Sequence, residues 1–151
     1  MKVFEVEPLE GVGEIKLGMT RQEVLDLMKS VPETSGSRMQ VESYLGGGLQ
    51  VFYGKDDQVE FIELLRSTGI SAKTKGIDVF GEPAKVVLSQ IAEFSEYNQD
   101  DPEVGYSYVF PDLELSLWRP NIPENEEEED GKYFSTIGIG IPGYYSATTQ
   151  S

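Results

Sequence analysis

Carboxylates are the most abundant charged groups of the chain, and they are densest in two short stretches. The 151 residues include 27 Asp and Glu against 12 Lys and Arg, which gives a formal net charge of −15 at pH 7. The first acidic cluster is Asp100, Asp101 and Glu103, and the second is the run Glu126, Glu127, Glu128, Glu129 and Asp130. Because exposed charges of one sign attract molecules of the opposite sign, both clusters are predicted to bind a cationic protein partner.

The same clusters have two other interpretations. Blocks of like charge repel one another, so each cluster also fits a solvated loop whose only effect is on solubility. A calcium loop is the second alternative, but the run from Glu124 to Asp130 lacks the alternating ligands and the central glycine of a helix-flanked calcium site. The sequence therefore predicts no metal site there.

Histidine and cysteine are both absent. Their absence excludes disulfides, thiolate zinc sites, cysteine nucleophiles and serine–histidine pairs. The run Gly46–Gly48 is not followed by the Lys-Ser/Thr of a phosphate-binding loop, so no cofactor is predicted. Paired carboxylates alone can hydrolyse glycosides, which leaves a carboxylate-only hydrolase as an alternative. No catalytic residue is assigned, and a non-enzymatic role is favoured.

Aromatic side chains form the second group of candidate binding residues. Tyr106, Tyr108 and Phe110 alternate along one predicted strand and should share one face of it, and Trp118 ends the next predicted strand. On an open face, Tyr106, Tyr108 and Trp118 would anchor a partner, because buried aromatic anchors carry much of the energy of an interface. On a face covered by helices, the same residues would belong to the core.

Two amphipathic helices are predicted to support these residues. Thr20–Glu23 has the pattern of a capping box, and apolar residues recur at helical spacing from Val24 to Val31. Pro32 ends this helix, since the residue before a proline is disfavoured in helical conformation. Pro83 suits the first turn of a second helix, whose apolar residues run from Ala84 to Ile91.

Each predicted helix follows a short strand and precedes three antiparallel strands, so the pattern occurs twice. We predict a single α+β domain over residues 1–151, built from two β-α-β-β-β halves at 1–66 and 75–141. The small and polar residues at 67–75 are predicted to be the connector between them. The halves are expected to form a largely antiparallel sheet with both helices on one face, because such strands alternate in polarity. Residues 142–151 are predicted to be a flexible tail. Whether the halves arose by duplication stays open.

Two segments resemble known proteins. Gly13–Val24, with its I-x-x-G-M-T-x-x-x-V pattern, resembles the start of bacterial SmpA/OmlA-type modules, whose relatives include the β-lactamase-inhibitor-protein fold. Gly105–Pro120 is similar to segments of uncharacterised small acidic bacterial proteins, some of which are immunity proteins. The resemblance implies a tandem of helix-plus-sheet units and a binding role, and it transfers no catalytic residue. The chain lacks the lipobox cysteine of SmpA/OmlA lipoproteins, so their location does not carry over.

Location and partners follow from charge and hydropathy. Met1–Pro8 alternates apolar and acidic residues like a strand and unlike a signal peptide, and no apolar run approaches the about 20 residues of a membrane helix. We therefore expect a cytoplasmic protein. The negative charge disfavours nucleic acid and anionic membranes. The leading hypothesis is a protein-binding module of immunity type or inhibitor type, and the alternative is a chaperone or adaptor acting as a dimer.

Overall fold

The computed structural model describes residues 2–28, 41–54, 56–67 and 69–145. Within these residues the chain forms two α-helices and eleven strands, and the strands form two sheets. The predicted α+β class, with more strands than helices, is confirmed. In chain order the elements are β1 (Lys2–Glu7), β2 (Gly11–Val12), β3 (Ile15–Lys16), α1 (Arg21–Met28), β4 (Val41–Tyr44), β5 (Leu49–Tyr53), β6 (Val59–Leu65), β7 (Ile70–Thr74), β8 (Ile77–Asp78), α2 (Ala84–Ile91), β9 (Ser107–Phe110), β10 (Leu115–Trp118) and β11 (Thr136–Gly140).

The larger sheet is antiparallel throughout and combines strands from both parts of the chain. Its strand order is β4-β5-β6-β11-β10-β9. The central pair is β6 with β11, in which Ile62 lies opposite Ile139. On each side of this pair the strands are chain neighbours, so each part of the chain contributes one three-stranded meander.

Alternation along these strands separates a buried face from an open face. Val51, Ile62, Leu117 and Ile137 point to the buried face and are at most 1% exposed. The intervening residues point the other way, since successive side chains of a strand alternate. This open face carries Gln50, Phe52, Phe61, Glu63, Ser116 and Trp118.

A second sheet has the strand order β3-β2-β1-β7-β8, whereas the sequence predicted a single sheet. Its β1 and β7 are parallel, with Phe4 beside Ala72. The predicted connector 67–75 instead contains β7, whose Ile70, Ala72 and Thr74 point into the core. Small and polar residues conceal this alternation in the sequence, and a local pattern does not reveal which strand pairs with which.

The two helices begin where the sequence predicts. At α1 the Thr20 amide donates to Glu23 Oε1 at 3.0 Å and the Glu23 amide donates to Thr20 Oγ1 at 3.2 Å, which confirms the capping box. Val24 is fully buried, but Leu27, predicted on the same face, is 36% exposed. The predicted end of this helix at Val31 and Pro32 lies outside the described residues. Along α2, Ala84, Val87 and Ile91 are buried as expected.

The first residues of the predicted tail pack on the open face. Tyr144 stacks on Phe61 with ring centroids 4.7 Å apart, and the Tyr145 amide donates to Glu114 Oε2 at 3.0 Å. The Tyr145 hydroxyl shares a hydrogen bond with Ser116 Oγ at 2.5 Å. Two adjacent aromatic rings therefore cover part of this face, and residues 146–151 lie outside the described part of the chain.

Candidate functional site

The two acidic clusters occupy loops that meet at one end of the larger sheet. The 98–106 loop precedes β9 and the 119–131 loop follows β10, and β9 and β10 are antiparallel neighbours. Arg119 joins the loops, because its Nε donates to the Gly105 carbonyl at 2.7 Å and its Nη1 donates to the Gly131 carbonyl at 3.3 Å. We call the two loops together the acidic end.

The 98–106 loop is shaped by its own short polar side chains. Asn98 Oδ1 accepts a hydrogen bond from the Asp100 amide at 3.0 Å, and Asp101 Oδ1 accepts one from the Glu103 amide at 2.8 Å. The Asn98 amide donates to the Val109 carbonyl at 2.8 Å, which ties the loop to β9. Asp101 is thus partly used in the turn, whereas Asp100 and Glu103 are exposed.

The 119–131 loop is folded around two asparagines. Asn121 Nδ2 donates to Glu128 Oε1 at 3.0 Å and to the Asp130 carbonyl at 2.9 Å. Asn125 Oδ1 accepts from the Glu128 amide at 3.1 Å, and Glu128 Oε2 accepts from the Glu124 amide at 2.7 Å. The carboxylate of Glu128 therefore faces the loop.

The remaining carboxylates of this run are exposed, and two of them contact lysines. Glu126 Oε1 lies 2.7 Å from Lys85 Nζ, and Glu129 Oε1 lies 3.8 Å from Lys132 Nζ. The hydrogen bond from Lys85 holds the pKa of Glu126 below its usual value. Because the side chains of Glu126 and Lys85 are 87% and 68% exposed, this bridge contributes little to stability.

The three predicted aromatic anchors differ in exposure. Tyr106 and Trp118 are 41% and 42% exposed, whereas Tyr108 is 7% exposed and packs edge-on against Tyr97 and Phe134. Tyr106 precedes β9, so it does not share a strand face with Tyr108 as the sequence predicted. Tyr108 is a core residue, which leaves Tyr106 and Trp118 accessible beside the acidic end.

A buried carboxylate on β4, at the opposite edge of the larger sheet from β9, was not identified from the sequence. The side chain of Glu42 is 2% exposed and is surrounded by donors. Glu42 Oε1 accepts from the Tyr53 hydroxyl at 2.6 Å and from the Tyr44 hydroxyl at 3.1 Å, and Glu42 Oε2 accepts from Arg21 Nη1 at 3.1 Å. The signal was the alternation of β4, which places Glu42 on the same face as buried Tyr44.

Arg21 extends this network to the surface. Its Nη2 lies 2.9 Å from Asp57 Oδ1, and its guanidinium lies 4.2 Å from the centroid of the Tyr53 ring. Arg21 holds the pKa of Asp57 below its usual value, and burial together with Glu42 raises the pKa of Tyr53. With all these donors around it, Glu42 joins β4 and β5 to the first turn of α1.

The described residues include two pockets of similar volume. The larger, about 560 Å³, lies between the start of α2 and the 119–131 loop and is lined by Pro83, Lys85, Arg119, Ile122, Pro123, Asn125, Glu126, Glu128 and Lys132. The smaller, about 480 Å³, is lined by Arg66, Ser67, Ile70, Ser71, Asp78, Phe80 and Gly81. The larger pocket borders the acidic end and contains three of the chain's 12 Lys and Arg.

Comparison of the chain with protein-family models, curated proteins and solved structures gives no significant match. The resemblances to SmpA/OmlA-type modules and to immunity proteins therefore stay predictions. Across the described ranges, no group of three or more acidic residues is placed to hold a metal ion. No helix in the described part of the chain has the length and apolar character needed to cross a membrane.

Proposed function

We propose that the protein is a non-enzymatic protein-binding module that acts in the cytoplasm and captures a cationic protein, as an immunity-type or inhibitor-like protein would. The observation that carries this proposal is the pair of hydrogen bonds from Arg119, which holds both acidic loops at one end of the larger sheet. Two joined loops present a stronger negative field to a partner than two separate loops.

The charge of the acidic end supports a cationic partner. The 98–106 loop contains three carboxylates and the 119–131 loop contains six, against the single guanidinium of Arg119. That guanidinium donates hydrogen bonds to carbonyls of both loops, so its role is to hold the loops together. Exposed charges of this density raise the rate of encounter with a cationic protein, and the effect is screened by salt over about 8 Å at physiological ionic strength.

The exposed aromatics supply the second part of the proposed contact. Trp118 is on the open face at the end of β10, opposite Ser107, and Tyr106 immediately precedes Ser107. The Arg119 amide donates to the Tyr106 carbonyl at 2.9 Å, so the backbones that carry both aromatics are joined. Trp and Tyr provide large contact areas with few rotatable bonds, which suits an anchor.

We also propose the finer β-α-β-β-β arrangement, with both helices over the buried face of the larger sheet. Val24 of α1 and Val87 of α2 belong to the same hydrophobic cluster as Ile62 and Ile139 of the central strand pair. The strand order of the larger sheet is also symmetric about that pair. In this arrangement the helices cover one face, and Trp118 remains accessible on the other.

The experiment begins with affinity capture from the native cell and identification of any partner that co-purifies in a one-to-one complex. Association and dissociation rates are then measured for the parent and for the triple variant Asp100→Asn, Asp101→Asn, Glu103→Gln. We expect the variant to associate more slowly at low salt, with the difference shrinking as salt is added. The asparagine at 101 keeps an oxygen that can accept from the Glu103 amide.

The matched control removes the same charge elsewhere. Glu5, Glu7 and Glu10 are exposed and lie in or just after β1 of the second sheet. Their replacement by glutamine changes the net charge equally and should slow association less. Equal slowing by both triple variants would show that only the total charge matters and would refute a binding role specific to the acidic end.

A further inference from the structure

The larger pocket combines cationic side chains with apolar walls. Lys85 and Lys132 line it with two weakly held ammonium groups: the Lys85–Glu126 bridge is between exposed side chains, and Lys132 Nζ lies 3.8 Å from Glu129. Arg119 also lines the pocket, but its guanidinium donates to the carbonyls of both acidic loops. The two lysines are therefore the cations that a ligand can recruit.

The apolar walls of the pocket are attached to neighbouring parts of the chain. Pro83 precedes α2, and the Ala84 amide donates to the Lys132 carbonyl at 2.7 Å, so the helix start is attached to the far side of the pocket. Ile122 packs against backbone, because a Cβ added at Gly105 would lie 2.6 Å from Ile122 Cδ1. Binding to a preformed pocket costs less conformational entropy than binding to a pocket that the ligand must order.

A carboxylate of the chain already marks where an anion would lie. Glu126 accepts a hydrogen bond from Lys85 Nζ at 2.7 Å, which lowers the pKa of its carboxyl, and the charge of Lys132 lowers that pKa further. Since the Glu126 side chain is 87% exposed, it can turn to solvent and leave both lysines to another carboxylate. The pocket also adjoins the first turn of α2, where the helix dipole favours negative charge.

We propose that this pocket binds a small organic anion, a carboxylate attached to an apolar body, independently of the protein partner proposed above. Its carboxylate replaces that of Glu126 between Lys85 and Lys132, and its apolar body lies against Pro83, Ile122 and Pro123. The volume of about 560 Å³ is within the range of small-molecule sites.

Three probes of the same shape and different charge test the proposal. The full chain is titrated with 4-phenylbutyrate, its neutral amide and 4-phenylbutylamine at constant ionic strength, with NMR signals of Ile122 and Lys85 as the readout. We expect saturable shifts at both residues and the tightest binding for the carboxylate. Tightest binding of the amine, shifts confined to other surfaces, or no saturable shift with any probe would overturn the proposal.

Substitutions then locate the charge that matters. Lys85→Gln and Lys132→Gln should each weaken phenylbutyrate binding about twofold to fivefold, the range of exposed ion pairs, and leave the amide unaffected. The anchor to α2 uses the backbone of Lys132, so this substitution spares it. Lys75→Gln is the matched control, because Lys75 lies over the exposed ring of Phe94 and away from the pocket lining.

Glu126→Gln separates the two signs of ligand. If Glu126 competes with an anion for Lys85, its neutralisation should tighten phenylbutyrate binding. If the pocket instead holds a cation on Glu126, the same substitution should tighten nothing and weaken the amine, and that result would overturn the proposal.

Discussion

Glu42 and Glu126 are both glutamates bonded to a cationic side chain, yet their surroundings differ completely. Glu42 is 2% exposed and accepts hydrogen bonds from two tyrosines and Arg21, whereas Glu126 is 87% exposed and forms a salt bridge with Lys85. A buried carboxylate cannot exchange its donors for water, so it fixes the structure around it. An exposed one can, so it remains available for binding.

Replacing each of these two glutamates by glutamine should give the largest difference in the free energy of unfolding. Glu42→Gln removes a buried charge from Arg21 and two tyrosines, and we expect it to lower the free energy of unfolding by about 2–3 kcal/mol. Glu126→Gln should leave the free energy of unfolding unchanged, because water replaces Lys85. Urea denaturation measures both, and similar midpoints for the two variants would contradict the contrast.

Removing one donor from the buried network should have a smaller effect. Tyr53→Phe deletes the hydroxyl that donates to Glu42 at 2.6 Å, and we expect a loss of about 1–2 kcal/mol. The control is Tyr106→Phe at an exposed position, for which urea denaturation should show no loss. An equal loss in both variants would mean that the network around Glu42 is not specially sensitive.

The same network predicts sensitivity to alkali. An unfolded tyrosine loses its proton at about pH 10. Burial and the hydrogen bond to Glu42 raise the pKa of Tyr53 in the folded protein, so the folded state keeps this proton to higher pH. Above about pH 10 the unfolded state therefore binds fewer protons, and the free energy of unfolding falls as pH rises. This fall should be shallower in Tyr53→Phe, and identical slopes in parent and variant would contradict the assignment.

The helix cap provides a prediction of smaller size at an exposed site. Thr20→Ala removes the acceptor of the Glu23 amide and should lower the free energy of unfolding by about 1 kcal/mol. Thr20→Ser keeps the hydroxyl and should retain most of the stability. If the alanine and serine variants unfold at the same urea concentration, the capping hydrogen bond does not contribute.

The smallest effect is expected at the acidic end and should have the opposite sign. Glu124, Glu127 and Asp130 are exposed, and no salt bridge to their side chains is present among the described residues. Neutralising all three should slightly raise the free energy of unfolding at low salt, because like charges repel, and the gain should disappear at high salt. A loss of stability would show that these carboxylates hold the loop.

Features set by neighbouring residues were predictable from the sequence, and features set by distant pairing were not. The capping box at Thr20 and the buried residues of α2 depend on spacings of a few residues, which the sequence displays directly. The parallel pairing of Phe4 with Ala72 joins residues far apart in the chain, and no local pattern encodes it. For the same reason the sequence predicted one sheet and interpreted β7 as a connector.

The candidate site likewise combines features that the sequence displays locally with features that depend on residues far apart in the chain. The acidic composition of the two loops was evident, but their joining depends on Arg119 reaching carbonyls at Gly105 and Gly131. The exposure of Tyr106 and the burial of Tyr108 depend on where β9 begins, a boundary that alternation alone does not fix. Glu42 was missed because a glutamate in a strand is normally assigned to the solvent side.

The position of β11 has a consequence for how the protein folds during synthesis. Among the described residues β11 is the last strand, but it lies between β6 and β10. The first meander can form while translation continues, yet its β6 edge stays unpaired until residue 140 has left the ribosome. We therefore expect the larger sheet to close late, as its distant strand pairs imply. With an unstructured linker added after the chain to span the exit tunnel, stalled chains whose residue 135 is at the exit should remain sensitive to protease. Stalled chains whose residue 145 has emerged should become resistant.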